Sequence, residues 1–134
     1  MTMRRIVTLA SVAVGTVGFI VTAAVPSYAA KAPGSRLVLT VAAGEKATPV
    51  RHRATLTCAP AGGTHKQAKA ACAALSAAKG DPAALKNDGS MCMMIYDPVT
   101  VTATGRWKSR AVRFTHTYGN PCELHAATGA VFAF

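Results

Sequence analysis

Residues 91–98 form the most distinctive stretch of the chain and read Met91-Cys92-Met93-Met94-Ile95-Tyr96-Asp97-Pro98. Three of the five methionines lie in this stretch, which we call the methionine loop, and the other two are at positions 1 and 3. Turn-forming residues 86–90 precede it and a proline ends it. A short apolar run between turn signals is either a buried strand or a loop that presents its side chains outward. The residues alone leave both alternatives open, although flexible thioethers suit a surface that enters the pockets of another protein.

Residues 1–29 predict a secretory signal peptide. Two arginines precede an uncharged run over residues 6–25, and Ser27 and Ala29 are the small residues that suit cleavage after Ala29. An uncharged run of this length could instead span a bilayer, but threonine, serine and glycine dilute its hydrophobicity. We therefore predict a cleaved leader and a mature domain over residues 30–134 that is secreted, extracellular and without stable membrane insertion.

The mature domain is strongly basic. Of the 15 Lys+Arg, two are lost with the leader, which leaves 13 against 5 Asp+Glu and a net charge of +8. Such a charge is typical of proteins that bind nucleic acid or an anionic surface. The basic residues are spread along the chain, only residues 106–110 are dense in them, and no nucleic-acid-binding motif accompanies them. We predict no nucleic-acid partner, and we regard solubility with loose adhesion to an anionic cell wall as the simpler interpretation.

Four cysteines, an even number in a short exported chain, predict two disulfides. Of the three possible pairings, Cys58–Cys72 with Cys92–Cys122 closes short loops that do not overlap. Chain entropy makes each such loop worth about 3–4 kcal/mol, a large share of a domain stability of roughly 5–15 kcal/mol. Because no Cys-x-x-Cys occurs and no histidines pair at zinc-ligand spacing, we expect no metal site.

Motifs that carry enzyme chemistry are also missing. The sequence has no nucleophile elbow, no phosphate-binding loop and no dinucleotide fingerprint, so we expect no cofactor. The acidic residues lie far apart in sequence. His65 fits the start of a helix and His116 fits the face of a strand, which are structural roles. We therefore predict that the chain is not an enzyme.

Alternating and β-rich segments predict an antiparallel sheet. In the clearest of them, Val99, Val101 and Ala103 alternate with threonines, as a half-buried strand requires. Lys108 and Ser109 form the expected turn to the next strand. The predicted strands cover residues 36–41, 53–58, 99–104, 111–118 and 130–134.

An alanine-rich segment over residues 65–78 predicts the main helix, with Thr64 as its N-cap and Gly80 as its stop signal. Asp81 and the proline after it predict a second, one-turn helix. The fold class is therefore α+β, with an antiparallel sheet of about five strands, one main and one short helix on one side, and two disulfides.

The mature chain resembles the Streptomyces subtilisin inhibitor-like family along nearly its full length. The matching pieces occur in the family's order and include all four cysteines. They are Leu37-Val38-Leu39-Thr40-Val41, Leu56-Thr57-Cys58-Ala59-Pro60, Gly63-Thr64-His65, Ala71-Cys72, Gly80-Asp81, Met91-Cys92, Met94, Tyr96-Asp97-Pro98-Val99, Trp107, Asn120, Cys122-Glu123 and Val131-Phe132-Ala133-Phe134.

The resemblance implies a secreted homodimer that inhibits subtilisin-like serine proteases, and it implies the same two disulfides. Met94 would be the primary specificity residue, and Met94–Ile95 would be the reactive bond offered for cleavage. The other protease-contacting residues of the loop would be Met91, Cys92, Met93 and Tyr96.

Two positions in this resemblance carry separate expectations. Asn120, beside Cys122, is our candidate for a hydrogen bond that supports the loop, and its alternative role is that of a plain turn residue. Many family members have proline where this chain has Met93, so we expect somewhat weaker inhibition or easier cleavage here. The alternative function is a non-inhibitory, basic, cell-wall-associated protein, or a cross-linking substrate that reacts through its lysines and Gln67.

Overall fold

The computed structural model describes Gly18, Val21, residues 23–27 and residues 32–134. The chain divides into two units, residues 1–30 and residues 31–134, and the account below concerns the second. Most of the predicted signal peptide, including its cleavage site after Ala29, lies outside the described residues. Among the residues that are described, no helix has the length and hydropathy of a membrane span.

Five strands form one antiparallel sheet, as the alternating segments predict. The strands are β1 (Ser35–Ala43), β2 (Val50–Cys58), β3 (Gly62–Gly63), β4 (Val99–Trp107) and β5 (Arg110–Tyr118). Their spatial order is β3-β2-β1-β4-β5, so β1 and β4 lie side by side and each is paired with a strand on both sides.

One face of the sheet carries the core because hydrophobic residues occupy alternate positions of each strand. Leu37 lies opposite Leu56 of β2, and Leu39 lies opposite Ala103 of β4, all four on the same face and almost inaccessible to solvent. The other face is rich in threonine and arginine, and none of the helices described in residues 32–134 packs on it.

Two α-helices and two short 3₁₀ helices pack on the apolar face. α1 spans Ala68–Ala77 and α2 spans Pro121–Thr128, while the 3₁₀ helices span Pro82–Ala84 and Gly129–Phe132. Leu75 of α1 and Leu124 of α2 are buried in the same cluster as the sheet leucines. α1 ends at Ala77, and the turn that follows contains Gly80. Gly80 has φ +78° and lies so close to the Trp107 ring that a Cβ there would meet it at 2.1 Å.

The predicted strand at residues 130–134 is wrong. This segment begins as a 3₁₀ helix, and Val131 and Phe132 are buried against the core rather than paired in the sheet. A short apolar run has no period long enough to separate strand from buried helix. The fifth strand is instead the two-residue Gly62–Gly63, which pairs with Leu56 and Thr57.

Two further predictions about helices are corrected. The sequence predicts no helix over the residues of α2, and it assigns Asn120 only the roles of a loop support or a turn residue. Asn120 caps α2, and proline fits its first turn, where no N–H is needed. α1 begins at Ala68, and Thr64 is not its N-cap, because the Thr64 hydroxyl accepts a hydrogen bond from the Thr55 amide at 2.9 Å.

Both disulfides have the pairing given above. Cys58–Cys72 joins the end of β2 to α1 with a Cα–Cα distance of 5.6 Å. Cys92–Cys122 joins the methionine loop to the first turn of α2 with a Cα–Cα distance of 5.7 Å. The second bridge therefore ties an otherwise irregular segment, residues 85–98, to a packed helix.

Candidate functional site: the methionine loop

The methionine loop presents its apolar side chains to solvent. Met91 is 99% exposed, Met93 75%, Ile95 58% and Tyr96 72%, and Met94 is fully exposed. The alternative of a buried strand is therefore excluded. A contiguous apolar patch of this kind is costly to leave in water and marks an interaction site.

Asn120 links the loop to α2. Its side-chain oxygen accepts a hydrogen bond from the Glu123 amide at 2.9 Å, which is the N-cap interaction of the helix. Its side-chain nitrogen donates to the carbonyl oxygens of Met93 at 3.3 Å and Ile95 at 2.9 Å. Since Asn120 is only 5% exposed, both its oxygen and its nitrogen are used inside the protein. It therefore holds the backbone on both sides of Met94.

The backbone turns at Met94. The Ile95 amide donates a hydrogen bond to the Met93 carbonyl at 2.9 Å, so Met94 is the central residue of a three-residue turn. Within the described residues, the carbonyl oxygen of Met94 itself accepts no hydrogen bond. The tip of the loop thus combines a held backbone with one free carbonyl and one free side chain.

The downstream side of the loop is fastened to two other segments. The Tyr96 phenol donates a hydrogen bond to the Glu45 carboxylate in the β1–β2 connection, and this bond raises the pKa of Tyr96 above its ordinary value. The Asp97 amide donates to the Gly119 carbonyl at 2.9 Å, and the Gly44 amide donates to the Pro98 carbonyl at 2.6 Å. The chain after Ile95 is consequently fixed before it enters β4.

The upstream side is held by the disulfide and by short-range turns. The Asp88 amide donates to the Ala126 carbonyl of α2 at 2.9 Å. The Asp88 carboxylate accepts from the Ser90 amide at 2.8 Å, and its hydrogen bonds with Ser90 lower the pKa of Asp88. Between these contacts and the tip, Cys92 is attached to Cys122. Met91 and Met93 therefore project from an anchored segment.

This chain matches a family model described as subtilisin inhibitor-like over residues 33–120. The chain belongs to the subtilisin inhibitor-like family. It is 52% identical over 103 residues to subtilisin inhibitor-like protein 5 of Streptomyces fradiae, a match that covers 73% of this chain and 95% of the relative. It is 50% identical over 105 residues to subtilisin inhibitor-like protein 3 of Streptomyces coelicolor, covering 75% and 97% respectively.

A solved structure shares the fold of this subtilisin inhibitor-like chain. It is Streptomyces caespitosus sermetstatin in complex with Bacillus licheniformis subtilisin, with a TM-score of 0.63 and 38% sequence identity. The match covers 75% of this chain and 99% of that chain. In that complex, a protein with this fold is bound to a protease.

The sequence does not reveal three residues that support the methionine loop through hydrogen bonds. Glu45 is 51 positions away from Tyr96, and nothing in a single sequence joins two such residues. Gly44 and Gly119 act through backbone atoms, so their residue type carries no signal of the contact. Only Asn120 was accessible to sequence reasoning, because it is adjacent to a bridged cysteine.

The other polar candidates have structural roles. His65 is 5% exposed, its Nε2 lies 3.0 Å from the Val131 carbonyl oxygen, and its Nδ1 accepts from the Gln67 amide at 3.0 Å. His116 lies in β5 and contacts the rings of Phe114 and Tyr118. In the described part of the chain, no three His, Cys, Asp or Glu residues are grouped so that they could hold a metal ion.

Proposed function

We propose that this chain inhibits subtilisin-like serine proteases by binding as a substrate does, with Met94–Ile95 as the reactive bond. The observation that carries the proposal is the tip of the methionine loop. There, a fully exposed Met94 lies between two carbonyls held by the buried Asn120. Membership of the family and the subtilisin complex of its structural neighbour support the same target class. In keeping with the family, we assign the chain no catalytic activity of its own.

Binding would use the loop as an added strand. An extended segment can pair with the exposed strand edge of a protease through main-chain hydrogen bonds, while alternate side chains enter pockets. Met94 would fill the primary apolar pocket, and Met91 would fill a second one three residues upstream. Because the loop is anchored before binding, little ordering entropy is lost, and an interface of about 1,600 Å² can then bind tightly.

Inhibition requires that cleavage be reversed faster than it is completed. The protease serine attacks the Met94 carbonyl carbon, the oxyanion hole receives the negative charge, and the Ile95 amine becomes the leaving group. Asn120, Asp97 and Pro98 hold the new amine beside the acyl group. Well-oriented groups reach effective molarities of about 10⁵–10⁸ M, far above the concentration of water, so religation wins over hydrolysis.

Stoichiometric titration of subtilisin with the mature protein tests the proposal. We expect enzyme activity to fall linearly to near zero at about one equivalent of chain. The alternative, a non-inhibitory basic wall protein or a cross-linking substrate through Gln67, predicts that activity does not change. The side chain of Gln67 is engaged with the Ala133 carbonyl at 3.2 Å, although the residue is exposed.

We also propose that the mature chain is secreted after removal of residues 1–29 and that it forms a homodimer, as the resemblance implies. Since the helices cover only one face of the sheet, the other face is available to a second copy. Light scattering gives the molar mass of the assembly, and mass spectrometry of the exported protein gives its first residue.

Replacing Asn120 by aspartate should convert the inhibitor toward a substrate. Aspartate caps helices as well as asparagine does, so α2 should be retained. The variant loses the two hydrogen bonds to Met93 and Ile95, each worth about 0.5–1.5 kcal/mol. Together these correspond to roughly 10–100-fold faster hydrolysis of the loop by subtilisin, followed by mass spectrometry.

An Asn120→Ser variant is the control for the added charge, because serine also caps the helix but is neutral and too short to replace the amide. Both variants should be hydrolysed faster than the wild type. Equal resistance of all three proteins would show that Asn120 does not support the loop.

Met93→Pro should strengthen inhibition slightly. In the described residues, the Met93 amide donates no hydrogen bond, so a proline ring removes none. The ring restricts the free loop by about 0.4–1 kcal/mol, which is roughly two- to fivefold slower hydrolysis by subtilisin. Faster hydrolysis of this variant would mean that the backbone at residue 93 does not suit proline.

A further inference from the structure

A pocket of about 660 Å³ opens between α2 and the sheet, on the face of the sheet that carries the helices. Val41 and Val99, both half-buried, form its sheet wall, and Leu124 of α2 and Phe132 of the last 3₁₀ helix form the opposite wall. None of residues 91–98 lines it, so it is separate from the methionine loop. Its volume lies within the range of about 300–1,000 Å³ that is typical of small-molecule sites.

The pocket stays open in the proposed homodimer. Val41 shares its face of β1 with the core residue Leu39, and Val99 shares its face of β4 with Val101, because alternate residues of a strand point the same way. A second copy on the helix-free face therefore does not cover the pocket.

The wall formed by residues 129–134 is held in place by α1 and the segment before it. The His65 Nε2 lies 3.0 Å from the Val131 carbonyl oxygen, and the Gln67 side-chain nitrogen donates to the Ala133 carbonyl at 3.2 Å. The pocket is therefore formed before any ligand arrives, which lowers the cost of ordering on binding.

An irregularity in β2 directs two basic residues toward the pocket. Val41 pairs with His52 and Ala42 pairs with Val50, so Arg51 is an extra residue in the register. Regular alternation would place Arg51 and His52 on opposite faces of the sheet, whereas both line this pocket. A bulge of this kind redirects a side chain and is common beside functional sites.

The charged side chains of the lining are all basic. Arg51 and Lys66 are exposed cations that also line the small groove next to the pocket, so they lie together at its mouth. His52 and His125 add two imidazoles, and no acidic side chain lines the pocket. An apolar interior with a cationic mouth is complementary to a molecule that has one anionic head and one apolar body.

We propose that this pocket binds a free fatty acid, with its carboxylate at Arg51 and Lys66 and its hydrocarbon chain on the apolar walls. An arginine fork matches the two oxygens of a carboxylate, and one carboxylate can contact both cations. Each CH₂ group that leaves water adds to the affinity, so the chain supplies most of it. Binding at this site is independent of the proposed inhibition.

Calorimetric titration of the mature protein with laurate, a saturated straight-chain fatty acid, below its micelle concentration tests the proposal. We expect one laurate per chain, a Kd of about 10–100 µM and a negative heat-capacity change. Dodecyltrimethylammonium has a tail of the same length and the opposite charge, and it should bind at least about tenfold more weakly. Butyrate keeps the carboxylate and lacks most of the tail, so it should show no measurable binding.

The proposal would be overturned if the protein did not bind laurate, or bound only vesicles of anionic lipid. Binding of dodecyltrimethylammonium or butyrate as tightly as laurate would also overturn it, because the head and the tail are both required.

The Arg51→Gln/Lys66→Gln variant removes both cations at the mouth and should bind laurate at least about tenfold more weakly at about 0.15 M salt. The matched control is Lys69→Gln/Lys79→Gln, which removes the same charge from exposed lysines outside the pocket. We expect the affinity of the control to change less than about twofold. An equal loss in both variants would mean that net charge alone attracts the fatty acid, which contradicts the proposed site.

Ala43→Phe fills the pocket without changing its charge. Ala43 is an exposed residue of β1 on the pocket wall, and phenylalanine is favourable in a strand, so the melting temperature should be retained. We expect laurate binding to fall at least about tenfold, whereas Ala70→Phe, on the exposed surface of α1, should bind as the wild type does. Undiminished laurate binding by Ala43→Phe would place the ligand outside the pocket and refute the assignment.

Discussion

Met94→Lys is expected to make this chain an inhibitor of trypsin-like proteases, with an affinity gain of roughly 10²–10⁴-fold over the wild type. Lysine would place an ammonium group against the aspartate at the base of the trypsin pocket. Leaving one partner of such a buried pair uncompensated costs about 3–5 kcal/mol, which is the source of the expected range. Inhibition of subtilisin should weaken, because its apolar pocket would receive the charged group. Titration of both enzymes with one preparation measures the two effects.

Met93→Lys is the matched control for that experiment. It adds the same charge one residue upstream, on a side chain that is also exposed, so any gain from overall charge appears in both variants. We expect no trypsin inhibition from it. If the Met94→Lys variant did not inhibit trypsin and still inhibited subtilisin as the wild type does, Met94 would not be the primary specificity residue.

Much of this fold can be predicted from the alternation of apolar and polar residues and from the positions of turn-forming residues. The alternation of Val99, Val101 and Ala103 with threonines predicts β4, and the partner strand and its turn at Lys108 and Ser109 follow from the same pattern. The bridges are predictable because short, non-overlapping loops are the simplest pairing. Because these signals depend only on residues near one another in the sequence, they can be recognised without knowledge of the tertiary structure.

The wrong secondary-structure predictions occur where the local sequence is compatible with two structures and tertiary contacts decide between them. The run at residues 130–134 is apolar enough for a strand, but burial of Val131 and Phe132 against α1 favours a 3₁₀ helix. Asn120 and Pro121 are compatible with either a break or a helix start, and the carboxylate of Glu123 is what completes the cap by accepting from the Gly119 amide. The spacing Asn-x-x-Glu was the available signal.

The exposure of the methionine loop could not be decided from its composition. Apolar residues are buried when neighbouring elements can cover them, and whether they can depends on the whole packing. Here the disulfide at Cys92 and the contacts of Tyr96 with Glu45 and of Pro98 with Gly44 hold the segment at the end of the sheet. The same contacts that leave Met94 uncovered also make its backbone rigid.

Removing the Cys92–Cys122 bridge with a Cys92→Ala/Cys122→Ala variant should abolish lasting inhibition. The bridge closes a loop with a sequence separation of 30, worth about 3.5 kcal/mol of chain entropy. Cys92 lies two residues before Met94, so the bridge also anchors the segment that would carry the acyl group after attack on the Met94–Ile95 bond. Downstream residues remain fixed because β4 pairs with β1, so the acyl segment alone becomes mobile. We expect subtilisin to be inhibited only transiently while the loop is cut at Met94–Ile95.

A Cys58→Ala/Cys72→Ala variant separates anchoring from stability. Its loop has a sequence separation of 14, so the expected loss of stability is similar, about 3 kcal/mol, but the methionine loop stays attached to α2. Thermal unfolding should show comparable destabilisation of both variants, while mass spectrometry with subtilisin should find rapid cleavage only without the Cys92–Cys122 bridge. Similar cleavage rates in both variants would mean that the loss of global stability, and not the loss of the loop anchor, causes the cleavage. If the Cys92→Ala/Cys122→Ala variant resisted cleavage by subtilisin as well as the wild type does, the bridge would not be needed to hold the loop. Asn120 and the downstream contacts would then be sufficient to keep the reacting groups together.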